Sequence, residues 1–299
     1  MYSRRQFLSF AALPALKAQD EAPTFSTDVK VVSVLATVLD KQNRILRDLN
    51  REDFQILENG RPQTIKYFSR DSDLPLTLGL LVDTSMSQEH VISAERVASF
   101  HFLDRVLREK LDQAFVMQFD MAVRVPQPLT HSREDLRHAL IYVDTPTRAQ
   151  LREQSGGGTL LFDAVVQASK DFMVPLQGRK ALIILSDGGE NGSDAKLSDA
   201  IDAAHRADTL VYSILFGGSQ GRGILERISR ETGGGFFTAS KKQSIDQVFN
   251  AIQDELRSQY DLGYVSDVPV RISEFRRIQL AVNRPGLKVQ ARDRYWAKR

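Results

Sequence analysis

The 299-residue sequence contains no cysteine. That absence removes disulfides, thiolate metal sites, iron–sulfur clusters and cysteine nucleophiles together. Charge of one sign is scarce as well. Forty Lys and Arg face 38 Asp and Glu, and a formal charge of +2 is too small to argue for nucleic acid. The basic pairs Lys241-Lys242 and Arg276-Arg277 lack interleaved aromatics and read as solvated faces. There is no Gly-x-x-x-x-Gly-Lys-Ser/Thr phosphate loop. The histidines His90, His101, His131, His138 and His205 form no His-Glu-x-x-His or other zinc spacing. Gly217-Gly218-Ser219-Gln220-Gly221 matches Gly-x-Ser-x-Gly, yet every histidine precedes Ser219, whereas nucleophile-elbow hydrolases place theirs after the serine. The segment reads as a glycine-rich loop.

What is present is a globular composition, 42% hydrophobic and 8% aromatic, which excludes a disordered chain. The length suits about two domains. Residues 1–18 read as a leader: Arg4 and Arg5 precede an apolar run, Phe7 to Leu16, half as long as the roughly 20 residues of a spanning helix. Ser3-Arg4-Arg5-Gln6-Phe7-Leu8 resembles the twin-arginine export signal, implying a periplasmic or extracellular bacterial protein. No later run is long enough to span a membrane. Removing the leader takes three of the 40 basic residues and none of the 38 acidic ones, so the slight basic bias belongs to it.

Residues 19–73 read as strands. Val29–Leu39 ends in the turn signal Asp40-Lys41-Gln42-Asn43, and Asn59-Gly60 lies between Phe54–Leu57 and Ile65–Phe68 as a hairpin signal. From residue 74 to 260 short, unbroken apolar runs (Leu78–Val82, Ala181–Leu185, Leu210–Phe216) suit strands covered on both faces. Helical stretches alternate with them. Val97, Phe100, Leu103 and Leu107 keep one face; Ile245, Val248, Phe249, Ile252 and Leu256 form a clearer stripe behind a Ser244/Gln247 capping box. This pattern predicts a doubly wound α/β domain with a mostly parallel sheet. Strand signals return over 261–299, a tail too short to fold alone. The two flanks are therefore expected to form one small β-sandwich with the α/β domain inserted into it.

Three polar clusters fall where open α/β sheets bind ligands, at the carboxyl ends of strands or in the loops beside them. Asp83-Thr84-Ser85-Met86-Ser87 follows the first core strand, Ser155-Gly156-Gly157-Gly158-Thr159 opens a helix, and Ser186-Asp187-Gly188-Gly189 ends another strand. Two carboxylates and three hydroxyls make an all-oxygen set suited to a hard cation such as Mg²⁺, with Mn²⁺ or Ca²⁺ as other candidates. Two carboxylates cancel a divalent charge while hydroxyls add none, so the site should attract an anionic oxygen from outside, most simply a partner's Asp or Glu. Taken singly, Ser85, Ser87 and Thr159 could cap helices and Asp187 could hold a turn. Asp163 reads as a solvated helix residue, Glu190 as a group behind the site, and Asp120 as a turn residue.

The three clusters in this order resemble the von Willebrand factor A-type domain with its metal-ion-dependent adhesion site. That resemblance spans about residues 74–260 and implies Asp83, Ser85, Ser87, Thr159 and Asp187 as metal ligands. The flanks, with Asp53-Phe54, Glu58-Asn59-Gly60 and Tyr260-Asp261-Leu262-Gly263-Tyr264, resemble exported von Willebrand factor A-related proteins frequent in Acidobacteria. That likeness implies a fold and a metal site but no settled partner; with the charge count, the expected function is a non-enzymatic binding or adhesion protein engaging a partner's carboxylate through the metal. The alternatives are a metal-dependent hydrolase of phosphate or another anionic substrate, and a scaffold with a purely stabilising ion. Oligomeric state is not legible.

Overall fold

The computed structural model describes residues 30–70, 74–147, 158–217 and 221–299. The export leader, Ser155-Gly156-Gly157 and Gly218-Ser219-Gln220 lie outside the described residues. All the elements described belong to one unit, Val31–Arg299. Four strands come first: β1 (Val31–Leu39), β2 (Phe54–Glu58), β3 (Arg61–Gln63) and β4 (Ile65–Ser69). The α/β segment follows as β5 (Leu76–Asp83), α1 (Ile92–Val106), β6 (Gln113–Phe119), β7 (Val123–Thr130), α2 (Arg133–Tyr142) and α3 (Leu161–Gln167). It continues as β8 (Arg179–Ser186), α4 (Leu197–Arg206), β9 (Leu210–Leu215), α5 (Arg222–Thr232), β10 (Phe236–Thr238) and α6 (Ile245–Arg257). The last strands are β11 (Tyr260–Val265), β12 (Glu274–Val282), β13 (Lys288–Ala291) and β14 (Arg294–Ala297).

The central sheet has the order β10-β9-β8-β5-β6-β7 and is parallel except for β7, which runs antiparallel to β6. Pro126 and Pro128 suit β7 to an edge, since proline cannot donate to a ladder. Every residue of β5 and β8 is buried, which is why both read as unbroken apolar runs. Leu78, Leu80 and Val82 of β5 pack against Phe102 of α1, Leu140 of α2 and Phe249 of α6. Leu81 faces the other layer, with Leu161 of α3, Ile201 of α4 and Ile228 of α5. The sheet is thus covered on both faces, and the carboxyl ends of β5 and β8 lie side by side.

The flanks form two antiparallel sheets, ordered β13-β1-β11-β4 and β14-β12-β2-β3. Each sheet mixes strands from before and after the α/β segment. Val34 and Ala36 of β1, Ile56 of β2, Leu262 of β11 and Ile278 of β12 share one core. The expected inserted architecture is the observed one.

Three details differ from expectation. Asn59 and Gly60 do form a hairpin turn, with φ of 48° and 82°. The turn, however, joins β2 to the short β3, while Ile65–Phe68 belongs to β4 and pairs with β11 in the other sheet. In α1 the buried residues are Ile92, Glu95, Ala98, Ser99, Phe102, Leu103 and Val106; of the expected face Leu103 and Leu107 are buried, but Val97 is 58% exposed. The sequence phase was ambiguous because polar residues occupy the inner face. Arg276 is no solvated face: it is 1% exposed and pairs with the equally buried Glu58 at 3.1 Å.

Candidate metal centre

Asp83 is the last residue of β5 and is fully buried. Its Oδ1 accepts from the Ser85 backbone N–H at 2.9 Å and its Oδ2 from Ser186 Oγ at 2.5 Å. Burial pushes its carboxyl up to about 6, the two serine contacts oppose that rise, and the nearby Asp187 charge adds to it. Ser85 and Ser87 follow in a short 3₁₀ turn, Met86–Gln88, with their hydroxyls 3.0 Å apart. Asp187 follows β8, where its Oδ1 accepts from Gly189 N at 2.8 Å.

Thr159 reaches this cluster through a closed circuit of loop contacts. Thr84 Oγ1 donates to Asp120 Oδ2 at 3.0 Å, and the Asp120 carbonyl accepts from Leu160 N at 2.9 Å. Thr159 and Asn191 then exchange backbone hydrogen bonds at 3.0 and 3.1 Å, which ties Thr159 to the loop carrying Asp187. Asp120 is therefore more than a turn residue. It is buried and held by Arg124 at 2.9 Å, and it joins the loop after β5 to the start of α3.

Ser85 heads the 3₁₀ turn without a side-chain cap bond, and Val91 heads α1 without one. Thr159 does not cap α3 either. Glu190 does, its Oε2 accepting from Phe162 N at 3.1 Å while both its oxygens also bind Ser193. Asp163, expected to be solvated, accepts from Asp194 N and Ala195 N and so fastens the same loop. Asp120, Glu190 and Asp163 thus organise the backbone of these loops, and Ser85, Ser87 and Thr159 cap no helix.

Those residues fit a hard divalent cation by donor chemistry: two carboxylates and three hydroxyls on three adjoining loops. Among the described residues no three Asp, Glu, His or Cys side chains converge to hold an ion, so hydroxyls and water must complete any shell. Sequence reasoning missed Ser186, whose role needs the β5–β8 pairing, and the buried Glu95 of α1. Neither carries a local signal. Nor did it foresee why Gly221 is glycine: a Cβ there would lie 2.1 Å from the Gly188 backbone, so the two glycines let one loop rest on the other.

Among solved structures, a von Willebrand factor type A protein from Catenulispora acidiphila matches with a TM-score of 0.53 and 14% identity, covering 82% of this chain and 73% of that one. Proximal thread matrix protein 1 from the mussel byssus, in a structure with a zinc-occupied MIDAS motif, matches with a TM-score of 0.53 and 17% identity. That match covers 65% of this chain and 48% of the byssus protein, so this chain spans about half of its length. At these identities the likeness is one of fold. No curated protein matches the sequence. The model of the von Willebrand factor type A domain matches residues 78–251, more than half of the sequence. With the fold and this match in hand, the chain belongs to the von Willebrand factor type A domain family.

Proposed function

We propose that this chain is an exported, non-enzymatic binding protein that holds a divalent cation, Mg²⁺ by donor type, through Asp83, Ser85, Ser87, Thr159 and Asp187. The carboxylate of an Asp or Glu on a partner protein then completes the coordination. The observation that carries this reading is the set of hydroxyls: Ser85, Ser87 and Thr159 cap no helix, and they adjoin two carboxylates whose charge equals that of one divalent ion. Bound there, the ion supplies a positive centre with an exchangeable water position. The protein's part is to hold Asp83 from Ser186, to fix the three loops through Asp120, Glu190 and Asp163, and to add no further anion at the mouth. The zinc-bearing MIDAS motif of the byssus protein supports a divalent cation in this family.

Export rests on the leader Ser3–Leu8, and the described residues include no helix long and apolar enough to cross a membrane. Hydrolysis would call for a general base at the ion. Glu190 and Asp163 spend their oxygens on backbone and Ser193 contacts, so neither is free to serve as that base.

The test is capture from a bacterial envelope extract on immobilised protein. A partner retained in Mg²⁺, released by chelator and lost with a folded Asp83→Ala variant is the expected result. Equal retention by that variant overturns the proposal. Phosphate-ester turnover abolished by Asp187→Ala would establish the hydrolase instead. Fractionation of cells expressing the full chain, with and without Arg4→Ala and Arg5→Ala, tests export.

A further inference from the structure

Glu95 stands on the inner face of α1, in its first turn after the loop that carries Ser85 and Ser87, and is 1% exposed. Neither of its carboxylate oxygens has a hydrogen-bond partner. A buried carboxylate with no donor is costly, and native structures leave few such groups unexplained. Two residues near it in the sequence repeat the pattern. Gln88 Oε1 is buried and unpartnered, while its Nε2 donates to Ser87 Oγ at 3.4 Å; Ser99 Oγ, one turn beyond Glu95, is also unpartnered. Buried oxygens without donors thus occur at Glu95 and Ser99 on the inner face of α1 and at Gln88 in the 3₁₀ turn beside Ser87.

The missing donor has a chemical description. Asp83 and Asp187 are near enough for their charges to add to the rise of the Glu95 carboxyl, to about 8, that burial begins. Their negative charge makes an anion an unsuitable partner, whereas a hydrated cation suits it well. The three carboxylates do not converge on one point at coordination distance, which places Glu95 outside the inner shell. A strongly hydrated ion such as Mg²⁺ keeps several waters, each an O–H donor polarised by the ion. Groups that accept from such waters fix the shell and raise affinity.

We propose that Glu95 is a positioning residue of the metal centre, its buried carboxylate accepting hydrogen bonds from the water shell of the ion held by Asp83 and Asp187. It selects a cation that retains water, and Gln88 relays the same contact to Ser87. The inference rests on the metal reading of the preceding section.

Calorimetric Mg²⁺ titration of the full chain, beside thermal melting with and without Mg²⁺, tests it. Glu95→Gln keeps the shape and removes the charge. Its metal-free form should melt at or above the wild-type temperature, because the cost of burying an unpartnered acid is gone, while Mg²⁺ binds roughly 10–100-fold more weakly and gives a smaller melting shift. A purely structural Glu95 would move only the metal-free melting temperature. Should Glu95→Gln fold poorly, Glu95→Asp retains the charge but draws it back by one methylene, and it should still weaken Mg²⁺ binding. Wild type that binds Mg²⁺ beside a folded variant binding it equally overturns this inference alone. Wild type that takes up no divalent ion overturns the metal reading and this inference together.

Discussion

The hydroxyl of Ser186 donates to Asp83 Oδ2 at 2.5 Å and accepts from Gly188 N at 2.9 Å. One side chain thereby fixes the end of β5, the turn after β8 and the orientation of a proposed ligand. Ser186→Ala removes a donor from a buried carboxylate, which should cost about 1–3 kcal/mol of stability. It should also raise the Asp83 carboxyl further, since this contact opposes the effect of burial. Mg²⁺ affinity, read by calorimetry, should fall about 10–100-fold, the usual effect of losing a group that orients a ligand.

Gly188 and Gly221 touch backbone to backbone, and Gly188 has φ +78°. Gly221→Ala forces apart two loops that have no flexible side chain to yield, so a loss of about 1–3 kcal/mol is expected in urea unfolding. Asp187, one residue from Gly188, should lose its placement and Mg²⁺ binding should weaken. Gly223→Ala is the control. It lies in α5 with nothing within 4 Å of the new Cβ, and should stabilise by roughly 0.5–1 kcal/mol.

In the sandwich core, Arg276 pairs with Glu58, and Glu58 Oε2 also accepts from the hydroxyls of Tyr264 and Tyr295, each at 2.8 Å. Arg276→Met leaves a buried carboxylate without its cation and should cost about 3–5 kcal/mol in chemical denaturation. Adding Glu58→Leu should recover part of that loss, which a double-mutant cycle would measure.

Glu255 on α6 is 5% exposed and accepts from Gln290 Nε2 of β13 at 3.0 Å. Burial lifts its carboxyl from 4.5 to about 7, against the weaker opposing effects of Gln290 and Lys288. Its native state holds the proton more tightly than the unfolded chain does. Its contribution is therefore complete below about pH 4.5 and is lost as pH rises through about 7, a change worth roughly 3 kcal/mol. Melting followed from pH 5 to 8 should show a decline that Glu255→Gln flattens, while the amide still accepts from Gln290.

Strand runs, the α6 stripe with its capping box and the five motif residues were legible because each is a local pattern. Leu78–Val82 reads as buried on both sides since no polar residue interrupts it, and Ser244 with Gln247 caps α6 as spacing demands. Other features were not legible because they depend on residues distant in the chain. Ile65–Phe68 looks like the second arm of a hairpin, and only the pairing of β4 with β11 assigns it to the opposite sheet. The inner face of α1 could not be found by apolar spacing when Glu95 and Ser99 occupy it.

The sequence by itself determined the fold class, the split β module and the identity of the proposed oxygen donors, because periodicity, turn chemistry and donor type are written residue by residue. Tertiary structure decided which donors are left unspent. Thr159 is spared the capping of α3 because Glu190 caps it from another loop, and Asp83 points as it does because Ser186 arrives from a neighbouring strand. Each donor and lone pair serves one hydrogen bond, and its partner is known only when strands far apart in sequence have been brought side by side.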